Sequence, residues 1–469
     1  MKARLLNIWD RFRTGFWFVP LLFVMAAIVL AFGIPMLDSR TDGWIVERVP
    51  WLSTTTAAAR SSLAAIGGAM VTVTGVVFSI TVVALSIASS QFGSRILRNF
   101  TDDRVTQAAI GMFVGTSVYC FLVMRSVREL DGTPFVPHVS VAVGVVLAIV
   151  SIAVLVFFIH HVAQAIQAPQ IVDSLGYDLD GAIDRLFPEK IGAPGNDDQD
   201  SQTGAQQADK LPEGFGEVIA DRQGYIQAID GEGLIDAAQN HDVVFELLKR
   251  PGDFLAKGGK VARVWPAGKH SEEVAAELNS AIIVGIRRTP RQDIGCTVDE
   301  MVEVAVRALS PGINDPFTAI NCIDRLSASL VRLADRRIPS AYRCDEDGKL
   351  RLIARPIHFS DVLDASFRDI RRYGRSSISV SMRLLDALML VLERTLQPDD
   401  QEAVLRQAEL ILKGCEMEDH QACDIATLQE RCRRLRLMTD QTAVANGIDE
   451  CQASGMPNRT THEPGLIDQ

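Results

Sequence analysis

The sequence predicts an α-helical membrane protein with four transmembrane helices, followed by a cytosolic α+β domain that combines a small all-β module with a helical bundle. Long apolar runs occur only up to about Ile159, and a helix needs about 20 such residues to cross a bilayer. From Gly216 apolar and polar residues alternate, which is typical of strands. Beyond Ser271 the apolar residues recur at helical spacing.

Four spans are predicted at about 16–37, 63–93, 105–124 and 139–160. The second belongs to the uncharged run 61–94, which as a helix reaches roughly 50 Å against a hydrocarbon core of roughly 30 Å. In the third span, two glycines four residues apart favour close helix contact. Lys and Arg are more frequent before the first span and after the second than in the loop between the third and fourth. We therefore expect both termini on the cytoplasmic side of the membrane.

Polar residues of the second span recur at steps of three and four, which places them on one stripe of a helix. They are Thr72, Gly75, Ser79, Ser86 and Ser89, and Arg95 and Arg98 follow directly after the span. Such a stripe either packs against neighbouring helices or lines a water-filled path. Either use requires partner helices, so we expect a homo-oligomer in the lipid bilayer. A ring of arginines favours a small anion as the permeating ion.

The remaining boundaries follow from changes in composition and periodicity. Residues 1–187 form the transmembrane domain with a helical exit, 188–212 a flexible linker, 213–268 the β module, 269–445 the mainly helical domain with a β-hairpin near 342–355, and 446–469 a disordered tail. The linker is too polar to bury a core. Within the β module, Gly231-Glu232-Gly233 is predicted to be a turn.

Helix starts are marked by capping residues. Ser271 is expected to cap a helix over 272–284. Thr297 with Glu300 forms a predicted capping box. Asp315 is the predicted N-cap of a further helix, with proline at its first position.

The turn before that last helix is the candidate ligand site. Its members are Ser310, Gly312, Asn314, Asp315 and Thr318, and Arg287, Arg288 and Arg291 precede it in the sequence. Free N–H groups at a helix N-terminus suit a small anion. The alternative is a helix corner in which Asn314 and Asp315 only cap.

Several kinds of chemistry receive no support from the sequence. The net charge of −11 at pH 7 argues against a nucleic-acid partner, which needs a basic face on the protein. Cys415, His420, Cys423 and Cys432 lie close together, but their spacing fits no standard zinc site. We expect no metal and no cofactor. Phosphate-loop, HExxH and GxSxG signatures are missing, so no catalytic residue is assigned and an enzyme is not predicted.

Two passages carry a resemblance to a known family. VVALSIASSQFGSRILRNFTDDRVTQ at 82–107 and TVDEMVEVAVRALSPGINDPFTA at 297–319 resemble the bacterial predicted membrane proteins known as domain of unknown function 2254. The resemblance covers nearly the whole chain, with four spans followed by a soluble domain. It implies a protein of the bacterial inner membrane and brings no established activity or cofactor.

Two functions from different classes remain. The first is an oligomeric ion channel or permeation pathway gated by the cytosolic domain, which the polar stripe and the arginines after it favour. The second is a membrane-anchored regulatory or scaffold protein without transport activity. The lack of charged residues inside the spans favours this second function, because coupled transporters usually keep such residues.

Overall fold

The computed structural model describes residues 17–38, 54–93, 103–130, 133–188 and 197–453. They belong to two compact units, Met1–Ile171 and Val172–Gln469. In the first unit lie α1 (Phe18–Asp38), α2 (Thr56–Phe92), α3 (Arg104–Ser126) and α4 (His138–Ala165). All four are long and apolar enough to cross a membrane, which confirms the prediction of four long apolar helices in this part of the chain.

Helix α3 is the centre of the first unit. Of the residues in its most apolar stretch, 61% are buried, against 17% to 22% for the other three helices. A Cβ added to Gly111 would lie 3.0 Å from the Cα of Pro20, and one added to Gly115 would lie 3.2 Å from the carbonyl oxygen of Phe23. The two glycines therefore let the α1 backbone approach α3, as their spacing predicts.

Hydroxyl groups inside the first unit bond across helix contacts. The Thr116 and Ser151 hydroxyls lie 3.2 Å apart, and Ser117 donates to the carbonyl of Gly67 at 3.1 Å. The Tyr119 hydroxyl donates to the carbonyl of Ser140 at 2.9 Å. These bonds satisfy polar groups that lipid cannot. A short antiparallel hairpin, β1 (Arg128–Leu130) and β2 (Thr133–Phe135), connects α3 to α4.

Along the chain, α4 is followed by two helices that precede the sheets, α5 (Ala168–Leu186) and α6 (Asp197–Ala208). Helix α6 falls inside the predicted flexible linker. Its Gln207 side chain donates to the carbonyl of Gly348 at 2.9 Å and accepts from the N–H of Leu350 at 2.8 Å. This part of the linker is ordered because its glutamine pairs with backbone groups about 140 residues further along the chain, a contact that composition does not reveal.

Two sheets form the β part of the second unit. One has the strand order β3 (Gly216–Ile219), β7 (Lys260–Trp265), β5 (Val244–Leu247), β10 (Leu350–Ala354) and β9 (Tyr342–Cys344), and the other has the order β6 (Phe254–Leu255), β4 (Gly224–Ile229) and β8 (Ile282–Gly285). All pairs are antiparallel except β5 with β10. The predicted hairpin near 342–355 is therefore the edge of a larger sheet.

The β module also contains a helix. The predicted turn at Gly231-Glu232-Gly233 is wrong, because α7 (Gly231–His241) begins there. Asp230 caps α7 by accepting from the N–H of Gly233 at 3.1 Å. Leu234 of α7 is fully buried in the core that the sheets enclose. The burial of this side chain outweighs the low helix propensity of the two glycines.

The helical part begins with α8 (Glu272–Ala281), which Ser271 caps as predicted. It ends three residues early, since the β-branched residues that follow pair with β4. Then come α9 (Ile294–Ala308), α10 (Pro316–Ala334), α11 (Phe359–Gly374), α12 (Ile378–Leu392), α13 (Pro398–Cys415) and α14 (Ala422–Ala453). Helix α14 reaches into the predicted disordered tail. The capping box at Thr297 is wrong: Asp293 caps α9, and Thr297 is buried inside the helix.

Candidate functional site

The candidate site in the membrane part is one side of α2, which we call the outer face. Helix α2 packs on its own unit through the buried residues Leu63, Gly67, Met70, Val77, Thr81, Ala84 and Ala88. At about 100° per residue, Thr72, Gly75, Ser79 and Ser86 lie nearly opposite this packed side. All four are exposed, while Ser89 is half-buried at the edge of the stripe. The sequence-predicted stripe is thus brought together on one face, and that face points away from the other three helices.

The outer face is built from small side chains over most of its length. Besides the predicted stripe it contains Ala57, Ser61, Ala64, Ala65, Gly68 and Ser90, all exposed. Three exposed valines, Val76, Val82 and Val83, lie on the same side. A Cβ added to Gly68 or Gly75 would meet nothing within 4 Å. Small residues allow two helix backbones to approach closely. The outer face therefore has the composition of a helix contact surface, and it packs on none of the other three described helices of its unit.

The hydroxyl groups of this face have different hydrogen-bond partners from those in the interior of the unit. Buried hydroxyls such as that of Ser117 bond to a neighbouring helix. The hydroxyl of Thr72 donates to the carbonyl of Gly68 on its own helix, at 3.2 Å. Arg95 and Arg98, predicted to follow the stripe, lie outside the described residues.

A polar link lies at one end of the first unit. Asp103 caps α3 by accepting from the N–H groups of Val105 and Thr106 at 3.1 and 3.2 Å. The same carboxylate lies 2.9 Å from Nε2 of His161 on α4. Sequence reasoning missed this pair because 58 residues separate its members. The link joins the N-terminus of α3 to the last turns of α4.

The predicted ligand turn is occupied by its own side chains. One carboxylate oxygen of Asp315 accepts from the N–H groups of Phe317 and Thr318, both at 3.1 Å, and the other accepts from the Thr318 hydroxyl at 2.6 Å. The Ser310 hydroxyl donates to the carbonyl of Arg307 at 2.6 Å, and Asn314 adopts a left-handed conformation with φ of 50°. The N–H groups that an anion needs are engaged by a carboxylate, so the geometry favours the capping alternative.

The structure does not bring the three predicted arginines to this turn. They precede α9, whose 15 residues span roughly 22 Å, and the turn follows its other end. Arg288 donates to Asp293 at 2.7 Å and also binds Asp299. Arg287 and Arg291 are exposed. Arg288 is thus an ion-pairing residue that holds the start of α9 in place.

Among the residues that the structure describes, no group of three or more His, Cys, Asp or Glu side chains is placed to hold a metal ion. The cysteines near His420 have separate contacts: Cys415 donates to the Ser381 hydroxyl at 3.1 Å, and Cys432 contacts the carbonyl of Ala408 at 3.6 Å. These thiols are part of the packing between helices.

Comparison with known proteins gives a family and no activity. A family model described as "Predicted membrane protein (DUF2254)" matches residues 13–389. An uncharacterized protein of Mycobacterium bovis is 31% identical over 423 residues, which is 89% of this chain and 79% of the relative. An uncharacterized protein of Mycobacterium tuberculosis has the same identity and coverage. No solved structure matches the chain.

Proposed function

Because the chain belongs to the DUF2254 family of predicted membrane proteins, we propose that it acts in the bacterial inner membrane as a homo-oligomer whose α2 helices line a pathway for ions. The cytosolic part, with both termini on its side, gates this pathway. One observation carries the proposal: the outer face of α2 is exposed and consists mostly of small residues with a line of hydroxyl groups, although α2 is long and apolar enough to cross lipid. Lipid offers no hydrogen-bond partner to a serine hydroxyl such as that of Ser79 or Ser86, whereas water or a second copy does.

The packing of the first unit supports a path between copies over one within a single copy. The side chains of Phe113, Tyr119 and Phe158 are fully buried and fill the space between the helices. Four helices arranged around such a filled centre leave little room for water. Copies of the outer face around a symmetry axis would instead present Ser79 and Ser86 to the axis.

The residues after α2 suggest which ion passes. Arg95 and Arg98 follow the helix directly in the sequence. In a cyclic oligomer each would form a ring, and rings of basic side chains favour anions. We therefore propose a small anion as the permeating species.

Flux through reconstituted protein tests this proposal. Purified protein in liposomes should pass chloride, and Ser79→Leu and Ser86→Leu should each reduce the flux strongly by placing a bulky apolar group on the axis. Ile80→Leu and Ile87→Leu are the matched controls, since these exposed residues lie at the same depth, about 100° further around the helix. Liposomes that remain ion-tight with well-folded protein would refute the pathway.

The alternative is a membrane-anchored regulatory or scaffold protein without transport activity. The bond from Thr72 to its own helix favours it, because a hydroxyl satisfied in this way tolerates lipid. Replacing residues 1–165 by an unrelated membrane anchor separates the two functions. The cellular phenotype of a deletion should be restored by such a chimera if the helices only anchor, and should not be restored if they conduct.

A further inference from the structure

A basic cleft opens between the C-terminal turns of α11 and α13 in the second unit. Its volume is about 560 Å³, within the range of about 300–1,000 Å³ typical of small-molecule sites. Four basic side chains line it, those of Arg371, Arg372, Arg375 and Lys413, against the single carboxylate of Asp369. We propose that this α11–α13 cleft binds an organic anion that carries a phosphate group. The inference is independent of whether the protein conducts ions.

The positive charge of the cleft is only partly balanced by the protein. Arg375 lies 2.7 Å from the carboxylate of Glu418, which neutralises it. The pair between Arg372 and Asp369 is long, at 3.9 Å, and both side chains are largely exposed, so it contributes little. For Lys413 no carboxylate of the described residues lies within ion-pair distance. A net positive charge is therefore left for a ligand.

Arg371 is the group that most needs a partner. Its Nε atom is buried and has no hydrogen-bond partner among the described residues. One of its terminal nitrogens donates a long bond of 3.4 Å to the carbonyl of Leu410. A buried guanidinium nitrogen without a partner is costly. An anion in the cleft would supply acceptors to the terminal nitrogens of this side chain and a negative charge beside it.

The charges around Arg371 also favour a bound anion. Burial lowers the pKa of the Arg371 guanidinium, and the neighbouring Arg372 and Arg368 lower it further, against the opposing effect of Asp364 and Asp369. Asp364 gives limited relief because it already accepts from Gln407 and Arg406 and pairs with Arg368. A bound anion would reverse this crowding of like charges.

The chemistry of the lining identifies the class of ligand. Guanidinium groups bind phosphate through paired N–H donors, and lysine adds a point charge. Apolar and aromatic surface lies beside them: Tyr373 is 59% exposed and Met417 is 74% exposed. A phosphate attached to an organic group fits this combination better than a free inorganic ion. Nucleotides and the headgroups of anionic lipids both have this chemistry.

Binding to the full-length protein in nanodiscs of phosphatidylcholine tests the proposal. Calorimetric titrations would use ATP, cyclic di-GMP and inorganic phosphate as separate probes, and a flotation assay with vesicles containing phosphatidylglycerol would test the lipid source. The double variant Arg372→Gln/Lys413→Gln removes two charges from the cleft. Its matched control, Arg433→Gln/Arg436→Gln, removes two charges from exposed positions of α14 that do not line the cleft.

A second variant fills the cleft without changing its charge. A Cβ added to Gly414 would lie 3.9 Å from its nearest neighbour outside the helix, the Cβ of Arg375, so Gly414→Leu fits the backbone and projects into the cleft. It should fold normally and block the ligand. This variant keeps the test valid if the double charge variant proves unstable.

The expected result is binding of an organic phosphate that weakens at least about tenfold in the cleft double variant and in Gly414→Leu, but not in the α14 control. Dependence seen with a nucleotide identifies a soluble ligand, and dependence seen only with phosphatidylglycerol vesicles identifies a lipid headgroup. Three results would overturn the proposal: no probe binds, inorganic phosphate alone binds, or the cleft and control variants weaken binding equally. In those cases the basic residues serve only to stabilise the ends of the two helices.

Discussion

Removing two carboxylates from α5 should release this helix from α10. Helix α5 follows the last membrane helix after only two residues and leads the chain into the second unit. Asp180 accepts from the Ser329 hydroxyl at 2.6 Å and from Arg325 at 3.4 Å. Asp184 binds Arg332, whose Nε lies 3.1 Å away, and also Arg336. Helix α5 is therefore the covalent connection through which a movement of the second unit would reach the membrane helices.

The size of the effect follows from the exposure of each group. The side chains of Asp184 and Arg332 are 43% and 45% exposed, so their pair contributes about 0.5 kcal/mol after screening by solvent. Ser329 is 1% exposed, and leaving its hydroxyl without a partner costs about 1–3 kcal/mol. Together Asp180→Ala/Asp184→Ala should cost about 2 kcal/mol, which is about a 30-fold change in an opening equilibrium.

Amide hydrogen exchange in α5 measures this change. Protection of the α5 amides in the full-length protein should fall about 30-fold in the double variant. Asp173→Ala is the control, because it removes a carboxylate from an exposed position of the same helix. Equal protection in the double variant and the control would refute the reasoning, since the buried apolar face of α5 would then hold it without these bonds.

The same network predicts a dependence on pH. Hydrogen bonding from Arg332 is the main cause of a lowered pKa of Asp184. A carboxylate whose pKa is lowered on folding stabilises the folded state above its ordinary value of 3.8, and this contribution is lost as the pH falls through the lowered pKa. Protection of α5, corrected for intrinsic exchange, should therefore decline on acidification below that value in the native protein and less so in the double variant.

Three further substitutions test other parts of the structure. Arg351→Met should cost about 3 kcal/mol, because it removes the cationic partner of the Asp345 carboxylate, whose side chain is 1% exposed. Arg222→Met in an exposed pair should cost well under about 1 kcal/mol; hydrogen exchange of β5 and β10 measures both. Gly111→Leu should reduce the yield of monodisperse protein in mild detergent, while Gly33→Leu, which meets nothing within 4 Å, should not; equal yields would contradict the close contact of α1 with α3. Asp315→Ala should cost about 1 kcal/mol at the start of α10, and unchanged exchange of its first turn would contradict the cap.

The four membrane helices and several helix starts were predictable because they depend on local signals. A run of apolar residues defines a span wherever it packs. Ser271 and Asp315 cap their helices through bonds to residues two or three positions away, so the sequence neighbourhood contains all the information. The direction of the polar stripe on α2 was not predictable, since it depends on which side of α2 packs against α3.

The features that the sequence did not reveal depend on distant partners. Both Thr297 and Asp293 are suitable cap residues. Asp293 is the one that caps α9, and it also forms an ion pair with Arg288. The α11–α13 cleft joins two helix ends about 40 residues apart. Its basic residues look like ordinary charges at helix ends, and only the fold shows that the Nε atom of Arg371 is buried without a hydrogen-bond partner among the described residues.

Cysteine cross-linking along α2 tests most directly the claim that the outer face joins copies of the chain. In a background without the native cysteines, Ser79→Cys and Ser86→Cys should form disulfide-linked dimers in native membranes on mild oxidation. Ile80→Cys and Ile87→Cys, which are exposed on a different side of the same helix, should form far fewer. Dimers at the isoleucine positions but not at the serine positions, or at neither pair, would contradict an assembly through the outer face and the ion pathway built on it.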